Sequence, residues 1–475
     1  MMSTLALPAT RYNKTAVLLT ASAGCAMPVL DTNVVGIVLP TIAGDLNASL
    51  ADVAWVVSTY VLCFAALLLP AGSVADRYGR KRVFVGGILV FMLASLGCGL
   101  APNIPVLYIM RAIQGAGAAF LLAPALAIIA HTFHEESARI RAWATWGGIM
   151  GLMMAVSPLV GGAVGTWLGW RWAFFINAPI CAVLALAVFK TIAESRDPTP
   201  RRLDLPGMAL FTAGMFLVTR SLIVGPERGW LSSDVMTGLL ASVLVFSAFA
   251  IVERRRVHPM LDLAVFRSRA FAAAVLAMFA YAASAQVMAV LLPMYLQNAR
   301  GATAMQAGVG MLPFAVAMML LPYAGRALGK HWASWKILTL GLLVVALGNL
   351  LMMWAASAGG LPLLVVAMAV LGSGGGLLNG ETQRAIMATI PREKAGMASG
   401  ISTTARFSGV LLGFASLAGV MSAGVSATSQ EQTVLPDYSR LAYAAGYADA
   451  FLLAALIALL SAIIVRACMG SPVKN

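Results

Sequence analysis

The residues best suited to chemistry in this sequence are a few ionisable ones set in long apolar stretches: Asp31, Arg111, Arg220, Glu381, Arg406 and Asp449. Charge in hydrocarbon is costly, so each marks a candidate proton or substrate site. Asp31 sits deep in the first apolar run and Arg111 in the fourth. Burial favours a protonated carboxyl, whereas a nearby guanidinium favours the carboxylate. A change in their separation would therefore bind or release a proton. The competing reading is a static Asp31–Arg111 pair or a helix-packing hydrogen bond. Asn33 and Gln114 add neutral polar groups on the same runs and are candidate cavity residues. Glu381, within Asn379-Gly380-Glu381-Thr382-Gln383-Arg384, has two readings. It is either a cavity carboxylate for a cationic substrate or a second proton, or the partner of Arg384, three residues on and on the same helix face.

Other chemistries find little support. Cys25, Cys63, Cys98, Cys181 and Cys468 are scattered, mostly inside apolar runs, with no CxxC or metal spacing, so they read as small hydrophobes. His131 and His134 lack the HExxH context of a metal pair and are expected in a polar loop. No GxSxG and no phosphate loop is present, which argues against an enzyme, an ATP-driven machine and any cofactor. Most of the 26 methionines are expected to be core or lipid-facing, although they could also form an adaptable pocket. The net charge of +14 invites a nucleic-acid reading. That reading requires the basic residues on one exposed face, whereas here they form short clusters between apolar stretches long enough to cross a bilayer.

The elements that must position these residues follow from composition. Apolar residues make up 60% and charged ones 11% of the 475, too little charge to clothe a soluble surface. Mean hydropathy is +0.88. The runs predict an all-α integral membrane protein of fourteen spans, over 15–40, 53–74, 83–101, 104–130, 140–165, 171–192, 206–225, 233–252, 271–297, 305–325, 335–356, 361–383, 396–424 and 444–467. The fifth, twelfth and thirteenth are rich in Gly and Ser, residues that let helices approach closely in lipid. The first run resembles a signal peptide, but it continues apolar to Pro40 and is expected to stay as an uncleaved helix. Twenty-five of the 32 Lys and Arg residues fall in the terminal segments and alternate connections, and four in the opposite loops. The positive-inside rule then places both termini in the cytoplasm.

A weak internal repeat organises the spans. Leu-Leu-Pro-Ala-Gly at 68–72 and Leu-Leu-Pro-Tyr-Ala-Gly at 320–325 each lead into a basic loop. About forty residues beyond each lies a Gly-rich span, at Gln114-Gly115-Ala116-Gly117 and Gly372-Ser373-Gly374-Gly375-Gly376. Two six-helix halves, 1–200 and 266–475, are expected, with two inserted spans over 201–265. Parallel six-span halves are a transporter architecture whose substrate site lies at mid-depth.

The loop after the second span reads Gly72-Ser73-Val74-Ala75-Asp76-Arg77-Tyr78-Gly79-Arg80-Lys81-Arg82. This resembles the signature loop of the major facilitator superfamily. The resemblance implies that Gly72, Asp76, Arg77, Gly79, Arg80 and Lys81 latch the two halves in one conformational state. Leu30-Asp31-Thr32-Asn33-Val34-Val35 resembles the first-span motif of its drug:proton antiporters, and Arg111 to Gly117 their intramembrane arginine motif. Ser157-Pro158-Leu159-Val160-Gly161-Gly162 is similar to their GPxxGG motif, with Ser157 in place of the first glycine. Trp170 to Pro179, Asp204 to Gly207, Glu253 to Pro259 with Phe266-Arg267, Tyr295-Leu296-Gln297 with Gly308 and Pro313, and Pro391 to Gly400 resemble the fourteen-span branch.

The resemblance implies the major facilitator fold and a bacterial inner-membrane location. It also implies export of amphipathic or cationic drugs in exchange for protons by alternating access. Asp31 and Arg111 would couple protons, and Pro158, Gly161 and Gly162 would form the antiporter-motif helix. Action as a monomer is implied, with a periplasmic adaptor and an outer-membrane channel as optional partners. Proton-coupled transport of a native metabolite (amino acid, sugar derivative or siderophore) is the alternative on the same fold. A channel would show a filter segment or charged ring, and none is evident in the sequence.

Overall fold

The computed structural model describes residues 13–133, 135–196, 204–256, 263–358, 360–390, 395–431 and 438–470. Arg11, His134, Arg201, Arg202, the 257–259 stretch, the 391–394 motif and Lys474 lie outside the described residues. Among the described residues, fourteen helices are long and apolar enough to cross a membrane. Spans 1 to 7 are Lys14–Asp45, Leu50–Tyr78, Arg80–Gly99, Ile104–Thr132, Glu136–Trp167, Trp172–Thr191 and Leu205–Arg228. Spans 8 to 14 are Ser233–Arg255, Arg269–Asn298, Ala304–Leu328, Ser334–Ala358, Leu361–Ala388, Ala395–Glu431 and Tyr438–Met469.

Helix is what such sequence must form in lipid, because each backbone N–H has to find its acceptor within its own segment. The starts are marked by capping side chains: Asn13, Ser49, Asn103, Asp204, Ser232, Ser268 and Thr303 each accept a backbone N–H from the first turn that follows. Span 1 runs five residues past its predicted end, through Pro40 to Asp45. Span 13, rich in Gly and Ser, is one continuous helix. His131, expected in a loop, belongs to the last helical turn of span 4. Some spans depart from regular helix in ways the apolar pattern did not show, span 10 at Met311 among them. Span 6 breaks at Ile176, between Trp172–Phe175 and Asn177–Thr191, and span 9 carries a π-helical turn over Ala282–Gln286. Within that turn, the Ser284 carbonyl accepts from Asn349 Nδ2 of span 11 at 3.1 Å.

The internal repeat is visible as repeated packing. A Cβ on Gly115 would sit 2.2 Å from the Tyr60 carbonyl oxygen of span 2, and one on Gly372 would sit 2.3 Å from the Phe314 carbonyl oxygen of span 10. Two residues on, a Cβ on Gly117 would meet Phe91 N of span 3 at 2.6 Å, and one on Gly374 would meet Val345 N of span 11 at 2.6 Å. Spans 4 and 12 therefore cross their neighbours backbone to backbone, at places only glycine allows. By the same offset, Met368 stands where Arg111 stands in the first half.

The halves meet mainly at the end remote from the first and last described residues. There Gln297 Nε2 of span 9 donates to the Ile37 carbonyl of span 1 at 2.6 Å, and Met305 N of span 10 donates to Thr166 Oγ1 of span 5 at 3.0 Å. At mid-depth, Phe64 of span 2 stacks edge-on against Phe407 of span 13, with ring centroids 4.2 Å apart. Span 7 packs beside spans 2 and 13, and span 8 packs against span 7. Arg220, on span 7, bonds both carboxylate oxygens of Asp234 on span 8 at 3.0 Å, and Arg228 adds a contact to the same carboxylate at 2.6 Å. Span 8 turns Met236, Leu240, Val243, Leu244 and Ile251 outward, an apolar face suited to lipid.

Candidate functional site

Asp31 is fully buried and faces three donors. Arg111 Nη1 donates to Asp31 Oδ2 at 2.7 Å. Gln114 Nε2 and Asn177 Nδ2 each donate to Asp31 Oδ1 at 2.8 Å. A second layer holds these groups. Ser95 Oγ accepts from Asn177 at 2.9 Å and from Gln114 at 3.2 Å, and donates to the Phe174 carbonyl at 2.9 Å. Arg111 also donates to Gln114 Oε1 at 2.8 Å and, through Nε, to the Val56 carbonyl at 3.2 Å. The Tyr60 ring lies 4.1 Å below the guanidinium carbon, a cation–π contact in a water-poor setting.

The local sequence explains this convergence. Gly115 and Gly117 draw span 4 onto spans 2 and 3, so that Arg111 reaches the Val56 carbonyl and the Tyr60 ring. The break in span 6 at Ile176, three residues before Pro179, brings Asn177 to the start of its second helical piece. Trp170 Nε1 and Arg171 Nη1 bond Asp45 at 2.9 and 2.8 Å, which ties the start of span 6 to the end of span 1. Three donors and no facing acceptor is a set that fits an ionised carboxylate.

Of the expected site residues, Asp31, Arg111 and Gln114 come together, whereas Asn33 is separate. Asn33 Nδ2 bonds the Val29 carbonyl of its own helix at 2.8 Å. Glu381 accepts from Arg384 Nη2 at 2.8 Å and from Nε at 3.2 Å, and Arg384 also reaches the Gly329 carbonyl at 3.2 Å. This is the helix-face pairing, with Glu381 buried and Arg384 exposed. Ser95, Asn177 and Tyr60 were not marked by sequence reasoning. Asn177 had a signal in the Trp170–Pro179 stretch, whereas Ser95 and Tyr60 sit in ordinary apolar runs with nothing to single them out.

In the signature loop, Arg80 bonds Asp76 through Nε and Nη2 at 2.9 and 2.8 Å. Lys81 Nζ donates to the Phe189 carbonyl of span 6 at 3.0 Å. Glu194, beyond span 6, accepts from Lys81 N at 3.1 Å and Arg82 N at 3.2 Å, an anion at the start of span 3. Gly79 has φ +116, and its missing Cβ leaves room for the Glu194 carboxylate. These contacts all stay within the first half. Arg77 lies over the neighbouring Tyr78 ring, and a Cβ on Gly72 would just touch Ala123 of span 4 at 4.0 Å.

The GPxxGG-like segment lies at the junction of the halves. A Cβ on Gly161 would meet Ile37 and Val34 of span 1 at 3.0 and 3.1 Å, and one on Gly162 would sit 2.9 Å from the Ala304 carbonyl oxygen of span 10. A Cβ on Gly308 would sit 2.4 Å from the Pro158 carbonyl oxygen. Among the described residues, no group of three or more His, Cys, Asp or Glu is placed to hold a metal.

Known proteins share both this sequence and this architecture. The chain is 33% identical over 423 residues to "Multidrug resistance protein Stp" of Mycobacterium tuberculosis (strain CDC 1551 / Oshkosh), covering 88% of this chain and 78% of that one. It is 35% identical over 416 residues to "Cephamycin export protein CmcT" of Amycolatopsis lactamdurans, covering 85% of this chain and 84% of that one. The crystal structure of the peptide transporter POT in complex with sulfate superposes with a TM-score of 0.68 at 17% identity, over 95% of both chains, a likeness of fold. Residues 22–414 match the Major Facilitator Superfamily. With its fourteen spans and a buried charged network in the first half, the chain is a secondary transporter belonging to the Major Facilitator Superfamily.

Proposed function

We propose that the chain exports amphipathic or cationic toxic compounds in exchange for protons, by alternating access of a central cavity. The observation that carries this reading is Asp31, fully buried among donors from Arg111, Gln114 and Asn177. Protonation would cancel the charge that holds these donors together, so proton binding on one side and release on the other would favour different arrangements of spans 1, 4 and 6. The chain's likeness to proteins named for multidrug resistance and for cephamycin export supports an outward direction.

The protein resides in the bacterial inner membrane with both termini in the cytoplasm, following the basic bias of the loops. In this reading the end where the halves meet is the outer one, as an inward-facing state requires. Residues 1–200 and 266–475 form the two rocking halves, with 201–265 as a peripheral pair of spans. The loop Gly72 to Lys81 engages the second half in the opposite state. Pro158, Gly161 and Gly162 form the hinge-side crossing, and Asn33, Gln114 and Glu381 border the cargo path. The chain works as a monomer, with a periplasmic adaptor and an outer-membrane channel as optional partners.

The test is ethidium uptake into inverted vesicles under an imposed proton gradient, compared for wild type and Asp31→Asn. The expected result is gradient-driven uptake in wild type, abolished by an uncoupler and by the substitution. Full uptake by Asp31→Asn would overturn the coupling role.

A further inference from the structure

Of the three arginines predicted inside spans, two have found carboxylates. Arg111 pairs with Asp31 and Arg220 with Asp234. Arg406 has not: among the described residues, no carboxylate lies within ion-pair distance of it. It lies five residues into the membrane-spanning part of span 13, Ile401–Val425. A guanidinium there is always charged and carries five N–H donors. Its contacts are weak for that capacity. Nε reaches the Met278 sulfur at 3.5 Å, Nη2 reaches Asn379 Oδ1 at 3.3 Å, and the Tyr281 ring lies 5.7 Å from the guanidinium carbon.

Three spans contribute to its surroundings. Met278 and Tyr281 come from span 9, just before its π-helical turn, and Asn379 comes from span 12. Such turns often accompany functional sites. Here the turn also leaves Gln286 Oε1 buried without a partner. Arg406 is only partly buried, and its neighbour Phe407 stacks on Phe64 across the gap between the halves. The first half spends its buried charge on Asp31, whereas Met368 takes the place of Arg111 in the second. In the second half Glu381 is paired with Arg384, whereas Arg406 is a positive charge within a span that has no carboxylate partner among the described residues.

We propose that Arg406, with Asn379 and the Tyr281 ring, forms a recognition point for an anionic group, a carboxylate or sulfonate, on an amphipathic cargo. This rests on the exporter reading and narrows it: acidic amphiphiles are bound through Arg406, and purely cationic ones gain nothing there. The Tyr60 ring under Arg111 is 6.0 Å from Phe64, which in turn touches Phe407. Cargo at Arg406 therefore abuts an aromatic row that leads to the proton network.

The test is equilibrium dialysis of detergent-purified protein against 2-naphthoate, naphthalene-2-sulfonate and the uncharged 2-naphthamide. Wild type is expected to bind both anions saturably and about tenfold or more tighter than the amide, the scale of a charge-assisted contact. Arg406→Gln should erase that preference with amide binding unchanged, Arg406→Lys should keep part of it, and Asn379→Ala should weaken the anions only. Each variant is checked for a wild-type melting temperature, and the Lys and Ala variants carry the test if the Gln variant fails to fold. No preference for anions in wild type, or an undiminished preference in Arg406→Gln, overturns the proposal. Ethidium uptake is followed in parallel. Arg406-dependent anion binding without proton-driven uptake would remove the exporter reading and keep the site. Uptake without such binding would remove the site alone.

Discussion

Asn177 donates to Asp31 Oδ1 at 2.8 Å across 146 positions of sequence, sharing that oxygen with Gln114. The bond joins span 6 to span 1 at the point where Asp31 would take up its proton. A hydrogen bond to a buried charged group contributes about 1.5–3 kcal/mol, so Asn177→Ala is expected to slow proton-driven exchange roughly tenfold or more. Substrate counterflow without a proton gradient should fall much less. Equal losses in the two assays would show that Asn177 serves packing alone.

The crossing of spans 5 and 10 is set by glycine. Because a Cβ on Gly308 would sit 2.4 Å from the Pro158 carbonyl oxygen, Gly308→Ala is expected to push that end of the halves apart. An impermeant thiol reagent should then label Met305→Cys several-fold faster than in the parent, above the background of the five native cysteines. Unchanged labelling would show that the crossing absorbs the methyl group without opening.

Gly115 and Gly372 should behave alike because they occupy equivalent crossings. Overpacking at such contacts costs about 1–3 kcal/mol, so Gly115→Ala and Gly372→Ala are each expected to lower the melting temperature of the purified protein by several degrees. Gly148→Ala is the control, since a Cβ there would meet nothing within 4 Å. A larger loss at Gly148 would contradict the packing account.

Glu381 and Arg384 are unequal partners, one buried and one exposed. Removing the arginine leaves a buried carboxylate unpaired, whereas removing the charge of Glu381 leaves an arginine that water can solvate. Arg384→Gln is therefore expected to destabilise by about 1–2 kcal/mol more than Glu381→Gln. If Glu381→Gln instead removes resistance to cationic compounds while sparing neutral ones, the carboxylate contacts cargo.

Much of the fold is written in the sequence because lipid leaves few choices. An apolar run of the right length must be helical, and the basic clusters recur with the alternation of the connections. Fourteen spans could therefore be read directly, and Asp31 and Arg111 stood out as ionisable residues inside apolar runs. Arg111 and Gln114, three residues apart on one helix, carried a local signal that Ser95 and Tyr60 lack.

Tertiary structure decided which polar groups meet. Asn177 reaches Asp31 because span 6 breaks at Ile176, and Glu194 reaches the start of span 3 because span 6 returns beside it. Asn33, two residues from Asp31, is left bonding its own helix. Arg111 and Arg406 both stand as single arginines in apolar runs, yet one is enclosed by a carboxylate, an amide and a ring, and the other has no carboxylate beside it among the described residues. Hydropathy places a charge at a depth in the membrane. Only the packing of neighbouring helices, set by glycines such as Gly115 and Gly372, determines what stands opposite it.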